Sequence, residues 1–254
     1  MRREPLVNIT VPVLNEESTL RGSISRLAAF LRAHPDHHYE ITLADNGSTD
    51  RTWRIAETLR CEYGVITVIH LEHAGRGRAL KQAWQASQAD VLTYMDADLS
   101  TDLIVFPKFV GSLATGEYDI ALGTRLLDKS STKRRLKREI ISRCYNLLVR
   151  TIFRTRITDF QCGFKGITKE TARELLPLVE DNGWFMDTEL LLLAEDRGYR
   201  IAQIPVRWTE RRDSRVKILP TIIADLKGLI RLRRTLCHER SSGIPARTEE
   251  MRAA

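Results

Sequence analysis

The sequence predicts an α/β fold with a mostly parallel sheet flanked by helices, and three observations carry that prediction. Short apolar runs alternate with amphipathic stretches of helical length through the first 124 residues. Each of those runs ends on polar, glycine-rich or charged residues. The second half adds two basic amphipathic stretches at helical spacing. Strands separated by helices need right-handed crossovers, and ligands of such sheets collect outside the carboxyl ends of the strands.

The elements follow in order. VNITVPV, over 7–13, alternates as a strand and leads into a helix over 16–33. A strand over 40–44 ends on ADNGSTD, where Asp50 is expected to cap a helix over 50–63. A strand over 65–71 precedes the basic turn GRGR, a helix start suited to an anion, and a helix over 77–87. VLTYM, over 91–95, reads as a buried strand that stops on Asp96-Ala97-Asp98, with a helix over 101–115 beyond it. A strand over 118–122 ends at Gly-Thr-Arg125. The basic helix over 133–153 precedes a loop carrying DFQCGFKG, then helices over 169–176 and 187–197 and a strand over 201–208. In the last helix, over 217–236, Pro220 has to lie in the first turn or break it. Residues 237–254 are expected to be a disordered tail.

Composition narrows the function. With 43% hydrophobic and 29% charged residues, a chain of 254 residues can bury a core, which excludes a disordered chain. No apolar run is long enough for a membrane span, and no leader-like segment follows Arg2 and Arg3. Four scattered cysteines exclude a Cys-x-x-Cys metal or redox site and suit a reducing, cytoplasmic setting. The net charge of +7 is unevenly spread: 125–156 carries +9, 207–240 carries +6, and the remainder is −8. An acidic body with two basic segments points to a localised anionic partner. Too few aromatics are interleaved with the basic residues for nucleic-acid stacking, so nucleic acid is not expected.

Asp96 and Asp98 are the strongest local signal. Two carboxylates one residue apart at a strand end can converge on Mg²⁺ or Mn²⁺, which take hard oxygen ligands and share them with phosphates. The bland alternative is an acidic helix start. Asp45, also at a strand end, can accept from a base N–H, although Asn46-Gly47 is equally an ordinary turn. GRGR is no dinucleotide fingerprint, because Leu80 stands where the third small residue belongs.

Taken in order, VPVLNEE, ADNGSTD, HAGRGRALKQA and MDADLS resemble the family 2 glycosyltransferases of GT-A fold, with their Rossmann-like sheet. DFQCGFKGITKETA, WFMDTELLLLA and IAQIPVRWTERRDSRVK resemble the dolichyl-phosphate glucosyltransferase branch more than the mannose synthases. The resemblance implies one domain over 1–236, with a nucleotide-binding half to about 124 and an acceptor-binding half from 125. It implies that Pro12, Leu14, Glu16 and Asp45 hold the nucleoside, with Arg76 nearby, and that Asp96 and Asp98 hold metal and diphosphate. Arg125 would meet the acceptor phosphate or the leaving diphosphate, Asp159, Gln161 and the Cys162-Gly163-Phe164-Lys165 turn would shape the sugar and acceptor site, and Asp187 and Glu189 would face the sugar. Ser214 and Arg215 match an element that closes over the site. Leu14, Asn46, Ser100 and Asp213 depart from residues common in the family.

The implied reaction is inverting, metal-dependent transfer of a hexose to a polyprenyl or dolichyl phosphate, with UDP-glucose ahead of GDP-mannose as donor. A phosphate acceptor is already an oxyanion and needs no general base. Arg125, Arg215 and the cluster Lys133, Arg134, Arg135, Arg138 would screen it from the diphosphate. Arg125 is expected to face the cleft, because no acid flanks it and a buried arginine needs a carboxylate. The basic helices would lie on the anionic cytoplasmic face of a membrane, making the protein peripheral. The alternative, transfer to a sugar hydroxyl, needs a carboxylate base, for which Asp159, Asp187 and Glu189 are the candidates.

Overall fold

The structure is a computed structural model that describes residues 4–72, 74–127, 132–133, 136–209 and 218–241. The first four strands, β1 (Leu6–Val13), β2 (His38–Asp45), β3 (Ile66–His70) and β4 (Val91–Met95), alternate with α1 (Leu20–Ala33), α2 (Thr52–Glu62) and α3 (Arg76–Ala86). After β4 come α4 (Phe106–Ala114), β5 (Ile120–Thr124), β6 (Thr132–Lys133) and α5 (Leu136–Phe153). The chain continues through β7 (Phe164–Thr168), α6 (Lys169–Leu175), α7 (Met186–Asp196), β8 (Ile201–Pro205), β9 (Trp208–Thr209) and α8 (Ile218–Ser241).

Seven strands form one sheet in the order β3-β2-β1-β4-β7-β5-β8, and β6 pairs with β9 in a two-stranded ribbon. All pairings of the main sheet are parallel except those of β7, which runs antiparallel between β4 and β5. The residues expected to divide into halves at 124 therefore share one sheet. One face buries Ile24 and Leu27 of α1, Leu59 of α2 and Phe109 of α4. The other buries Leu80 and Trp84 of α3 with Leu190 of α7 and Leu229 and Leu232 of α8.

The strand β7 is the element the sequence pattern concealed. FKGIT carries a lysine and a glycine, which read as loop, yet Lys165 is fully buried and hydrogen-bonded. Gly166 is needed because a Cβ there would press on Phe109 and Leu113. The strand expected over 201–208 is two, β8 and β9, and the helix expected over 101–115 begins only at Phe106. Asp102 caps the short turn before it by accepting from the Ile104 N–H. Asp50 accepts from the Thr52 N–H, as expected of a capping side chain, although Arg51 holds the cap position.

The helix α8 corrects the expected tail. It runs to Ser241 rather than stopping at 236, because Glu239 pairs with Arg197 and Arg240 with Asp196 at the end of α7. Pro220 falls in its first turn, as required. Inward, Asp225, Gly228, Leu229, Leu232 and Leu236 are buried, and a Cβ on Gly228 would run into the Phe185 ring. Asp225 is only 5% exposed and its Oδ1 has no hydrogen-bond partner. Burial, and then Asp181, push its carboxyl from 3.8 up to about 7. The folded state therefore holds this proton more tightly than the unfolded chain, and stability falls as pH rises from the unfolded value to about 7. Asp225→Asn is expected to stabilise the fold by about 1–3 kcal/mol at pH 8 and to change little at pH 4, read by thermal unfolding at both values.

Candidate active site

The carboxyl ends of β1, β2 and β4 converge on one region, and local hydrogen bonds fix each loop there. After β1, Asn15 takes a left-handed backbone (φ 54). Its side-chain oxygen accepts from the Thr49 N–H, and its own N–H donates to Ser48 Oγ. Glu16 N donates to Thr52 Oγ1 at 2.6 Å. The expected nucleoside residues Pro12, Leu14 and Glu16 thus border the turn that follows β2, with the Leu14 side chain exposed. Asp45 is fully buried. Its Oδ1 accepts from Ser48 N and its Oδ2 pairs with His70 Nδ1 at 2.7 Å, while the His70 ring lies against Trp53. The carboxylate holds the 45–48 turn and presents no exposed oxygen.

The start of α3 corrects one expectation. Its amides do not await an anion, because Gly77 N and Arg78 N donate to the carbonyls of Gly183 and Asn182. Glycine is required for that contact: a Cβ on Gly77 would lie 2.7 Å from Met186 Cβ. Arg76 is buried among the acids, one residue on from Gly75, whose N–H donates to Asn46 Oδ1 in the turn after β2. Its guanidinium sits 4.9 Å from both the Tyr94 and Trp184 ring centroids, donates to Asp187 Oδ2 at 2.7 Å and reaches Asp96 Oδ1 at 3.4 Å.

Asp187, at the start of α7, is the hub of this cluster. The Tyr94 hydroxyl donates to its Oδ1 at 2.5 Å, and Lys165 Nζ stands 3.5 Å away while donating to Tyr94 Oη and the Cys162 carbonyl. Burial alone would raise the Asp187 carboxyl; Lys165 and Arg76 outweigh it and hold the group below its ordinary value. Glu189 is equally committed, accepting from Arg231 Nη2 at 2.6 Å and Asp181 N at 2.7 Å.

Asp96 and Asp98 end β4 as expected. Asp96 donates its N–H to the Gly163 carbonyl, and its carboxylate lies directly over Gly163, where any Cβ would overlap it. The Asp96 side chain is 40% exposed. Burial, with Asp98 and Asp187 nearby, raises its carboxyl against the pull of Arg76. Asp98 accepts from both the N–H and the hydroxyl of Ser100, so the capping role coexists with the strand-end placement. Among the described residues no group of three or more ligating side chains could hold a metal by itself. Two partly exposed carboxylates instead suit an Mg²⁺ or Mn²⁺ ion that takes its other ligands from phosphate and water.

Arg125 corrects the expectation that it faces the cleft. It is buried and pairs bidentately with Asp159, Nε to Oδ2 at 2.7 Å and Nη2 to Oδ1 at 2.8 Å, with its N–H on the same carboxylate. The acid that no flanking residue supplies arrives from 34 positions along the chain. The pair ties the end of β5 to the 159–163 loop that carries Gly163, and Gln161 is exposed on that loop. Lys133 falls in β6 and Arg138 in α5, whereas Arg134, Arg135, Ser214 and Arg215 lie outside the described residues. Tyr94, Trp184 and Arg231 were absent from the expected site, and none of the three carried a local signal. Lys165, expected in the turn that shapes the acceptor site, lies instead in β7 and points into the Asp187 cluster.

The family model for glycosyl transferase family 2 matches residues 8–176. This chain belongs to glycosyl transferase family 2. It is 38% identical over 222 residues to glycosyltransferase AglD of Haloferax volcanii, covering 85% of this chain and 35% of that relative. It is 31% identical over 218 residues to a dolichyl-phosphate beta-glucosyltransferase of Drosophila melanogaster, covering 80% of this chain and 67% of that one. The chain thus spans about a third of the first relative and about two thirds of the second. Glucosyl-3-phosphoglycerate synthase from Mycobacterium tuberculosis, crystallised with Mn²⁺, UDP and glucosyl-3-phosphoglycerate, shares the fold at a TM-score of 0.66 and 22% identity. That match covers 95% of this chain and 81% of the other. The sheet is of GT-A type.

The Gly163 contact generates a test. Gly163→Ala is expected to displace the Asp96 carboxylate and weaken Mn²⁺-dependent binding of a nucleoside diphosphate by about 10–100-fold in titration calorimetry. Gly22→Ala, where a Cβ meets nothing within 4 Å, is expected to leave that binding unchanged.

Proposed function

We propose that this glycosyltransferase moves a hexose, glucose ahead of mannose, from a nucleotide sugar to a polyprenyl or dolichyl phosphate, inverting the anomeric carbon. One observation carries the choice of acceptor. The three carboxylates that could activate a sugar hydroxyl are all committed: Asp159 to Arg125, Asp187 to Arg76 and Tyr94, Glu189 to Arg231. Asp159 and Asp187 are held below their ordinary pKa by cations that outweigh burial, whereas burial raises Glu189, whose two oxygens stay occupied by Arg231 and the Asp181 N–H. A site without an available base suits an acceptor that arrives ionised. The names of the dolichyl-phosphate relatives support the same acceptor class, and support glucose ahead of mannose.

In this reading a phosphate oxygen attacks C1 in line as the bond from C1 to the nucleoside diphosphate breaks. Asp96 and Asp98 would hold Mg²⁺ or Mn²⁺, which supplies charge neutralisation for the departing diphosphate. Arg76 sits against Asp96 and adds a fixed positive charge at the same place. Pro12, Leu14 and Glu16 would border the nucleoside, with Asp45 holding their neighbouring turn. Arg125 and Asp159 would act by fixing the 159–163 loop, and Gln161 would meet the acceptor. Screening of the acceptor phosphate would fall to Lys133, Arg134, Arg135, Arg138 and Arg215, with Ser214 on the closing segment. Among the described residues no helix is long and apolar enough to cross a membrane. Because the acceptor is a lipid, we place the reaction at the cytoplasmic surface of a membrane, with the protein bound peripherally.

Purified protein given labelled UDP-glucose or GDP-mannose, Mn²⁺ or Mg²⁺ and polyprenyl phosphate is expected to transfer label into the solvent-extractable lipid fraction. Chelator or Asp98→Ala should remove that activity by about 10²–10³-fold while leaving the circular dichroism spectrum intact. Label found only on a water-soluble saccharide would defeat the proposal.

A further inference from the structure

The outer faces of α5 and α8 are apolar, and nothing in the reaction just described uses them. On α8, Leu219, Ile222, Ile223, Leu226 and Ile230 recur at helical spacing and are all exposed, Leu219 by 74% and Ile230 by 55%. This stripe is separate from the buried one formed by Leu229, Leu232 and Leu236. On α5 the usual polarity is inverted. Ser142 and Asn146 are buried, while Ile140, Ile141, Leu147 and Leu148 are exposed, Leu147 by 64%. Burial of the polar residues has a structural reason, since Asn146 accepts from the Phe160 N–H and so helps fix the 159–163 loop. Both helices pack on α7: the Tyr145 hydroxyl of α5 shares a hydrogen bond with Thr188, and Arg231 of α8 pairs with Glu189. Exposed apolar stripes of this kind mark an interaction site.

We infer that these stripes insert into the acyl boundary of an anionic lipid bilayer. The inference deepens the proposed function, on which it rests for the presence of a lipid acceptor, by assigning docking to apolar insertion rather than to the basic clusters. Charge selects the occupant. Exposed Arg150, Lys227, Arg233 and Arg234 flank the stripes. The acids of the two described helices are buried, as Asp225 is, or paired, as Glu139 is with Arg143 and Glu239 with Arg197. Such a surface attracts anionic headgroups, whereas a second copy of the same face would bring like charges together.

The test is co-flotation of the full chain with vesicles of phosphatidylcholine containing phosphatidylglycerol, at low and high salt. Wild type should bind and keep a salt-resistant component, because apolar insertion is not screened. Ile222→Gln, Ile223→Gln and Leu226→Gln combined, which leave net charge unchanged, should weaken binding by at least about tenfold. The same variant should retain transfer to a short-chain, water-soluble isoprenyl phosphate while losing transfer to a long-chain acceptor held in vesicles. Undiminished vesicle binding by the variant overturns the inference. So does a wild-type dimer that the three substitutions dissociate without affecting vesicles, since a second copy would then be the occupant. If neither protein transfers sugar to any isoprenyl phosphate yet the difference in vesicle binding persists, the reaction reading fails and the docking surface stands.

Discussion

The arrangement of the site depends on one buried carboxylate, Asp187, and the groups that neutralise it. Tyr94 reaches it from β4, Lys165 approaches from β7 and Arg76 from α3, so four elements meet on two oxygen atoms. A charge taken out of water at this depth is costly unless fully paired, and each partner of Asp187 would be a similar cost without it. The cluster is therefore cooperative: removing one member leaves another buried charge without compensation. Because Arg76 also touches Asp96, the same network that anchors α7 sets the position of the strand-end carboxylates. Structure and chemistry are joined at that guanidinium.

Much of the fold was legible because the first half obeys the periodicities that burial imposes. The first five strands and their helices appear within a few residues of expectation, since each strand end is punctuated by a turn residue or a charge. β7 was hidden for a physical reason. A strand whose lysine is neutralised internally and whose glycine makes room for Phe109 carries no period-two pattern. The site was legible in its carboxylates and not in its cations. Asp96 and Asp98 stand at a strand end that hydropathy predicts. The partner of Arg125 comes from a distant loop, and no local window contains that information. Arg76 likewise reads as a turn residue until Asp187, 111 positions later, is brought against it.

Glycine has an equally positional meaning here. Gly77, Gly163 and Gly228 each allow a specific group to approach the backbone: Met186, the Asp96 carboxylate and the Phe185 ring. The first and third seat Met186 and Phe185, adjacent residues where α7 begins, and the second seats the strand-end acid. Three missing side chains thus define the distances on which the charged cluster relies.

The placement of β7 also governs how the chain can assemble. β4 and β5 follow each other in sequence but are not neighbours in the sheet, because β7 enters between them. The parallel block β3-β2-β1-β4 can form from the first 95 residues alone, whereas β5 has no sheet partner until residue 164 and its successors are made. During synthesis the nascent chain therefore holds β4 with an open edge while some seventy further residues are added. An unpaired edge of that kind invites intermolecular strand pairing. Closure of the sheet is a late, long-range event, and the acidic end of β4 acquires its floor at Gly163 only with it.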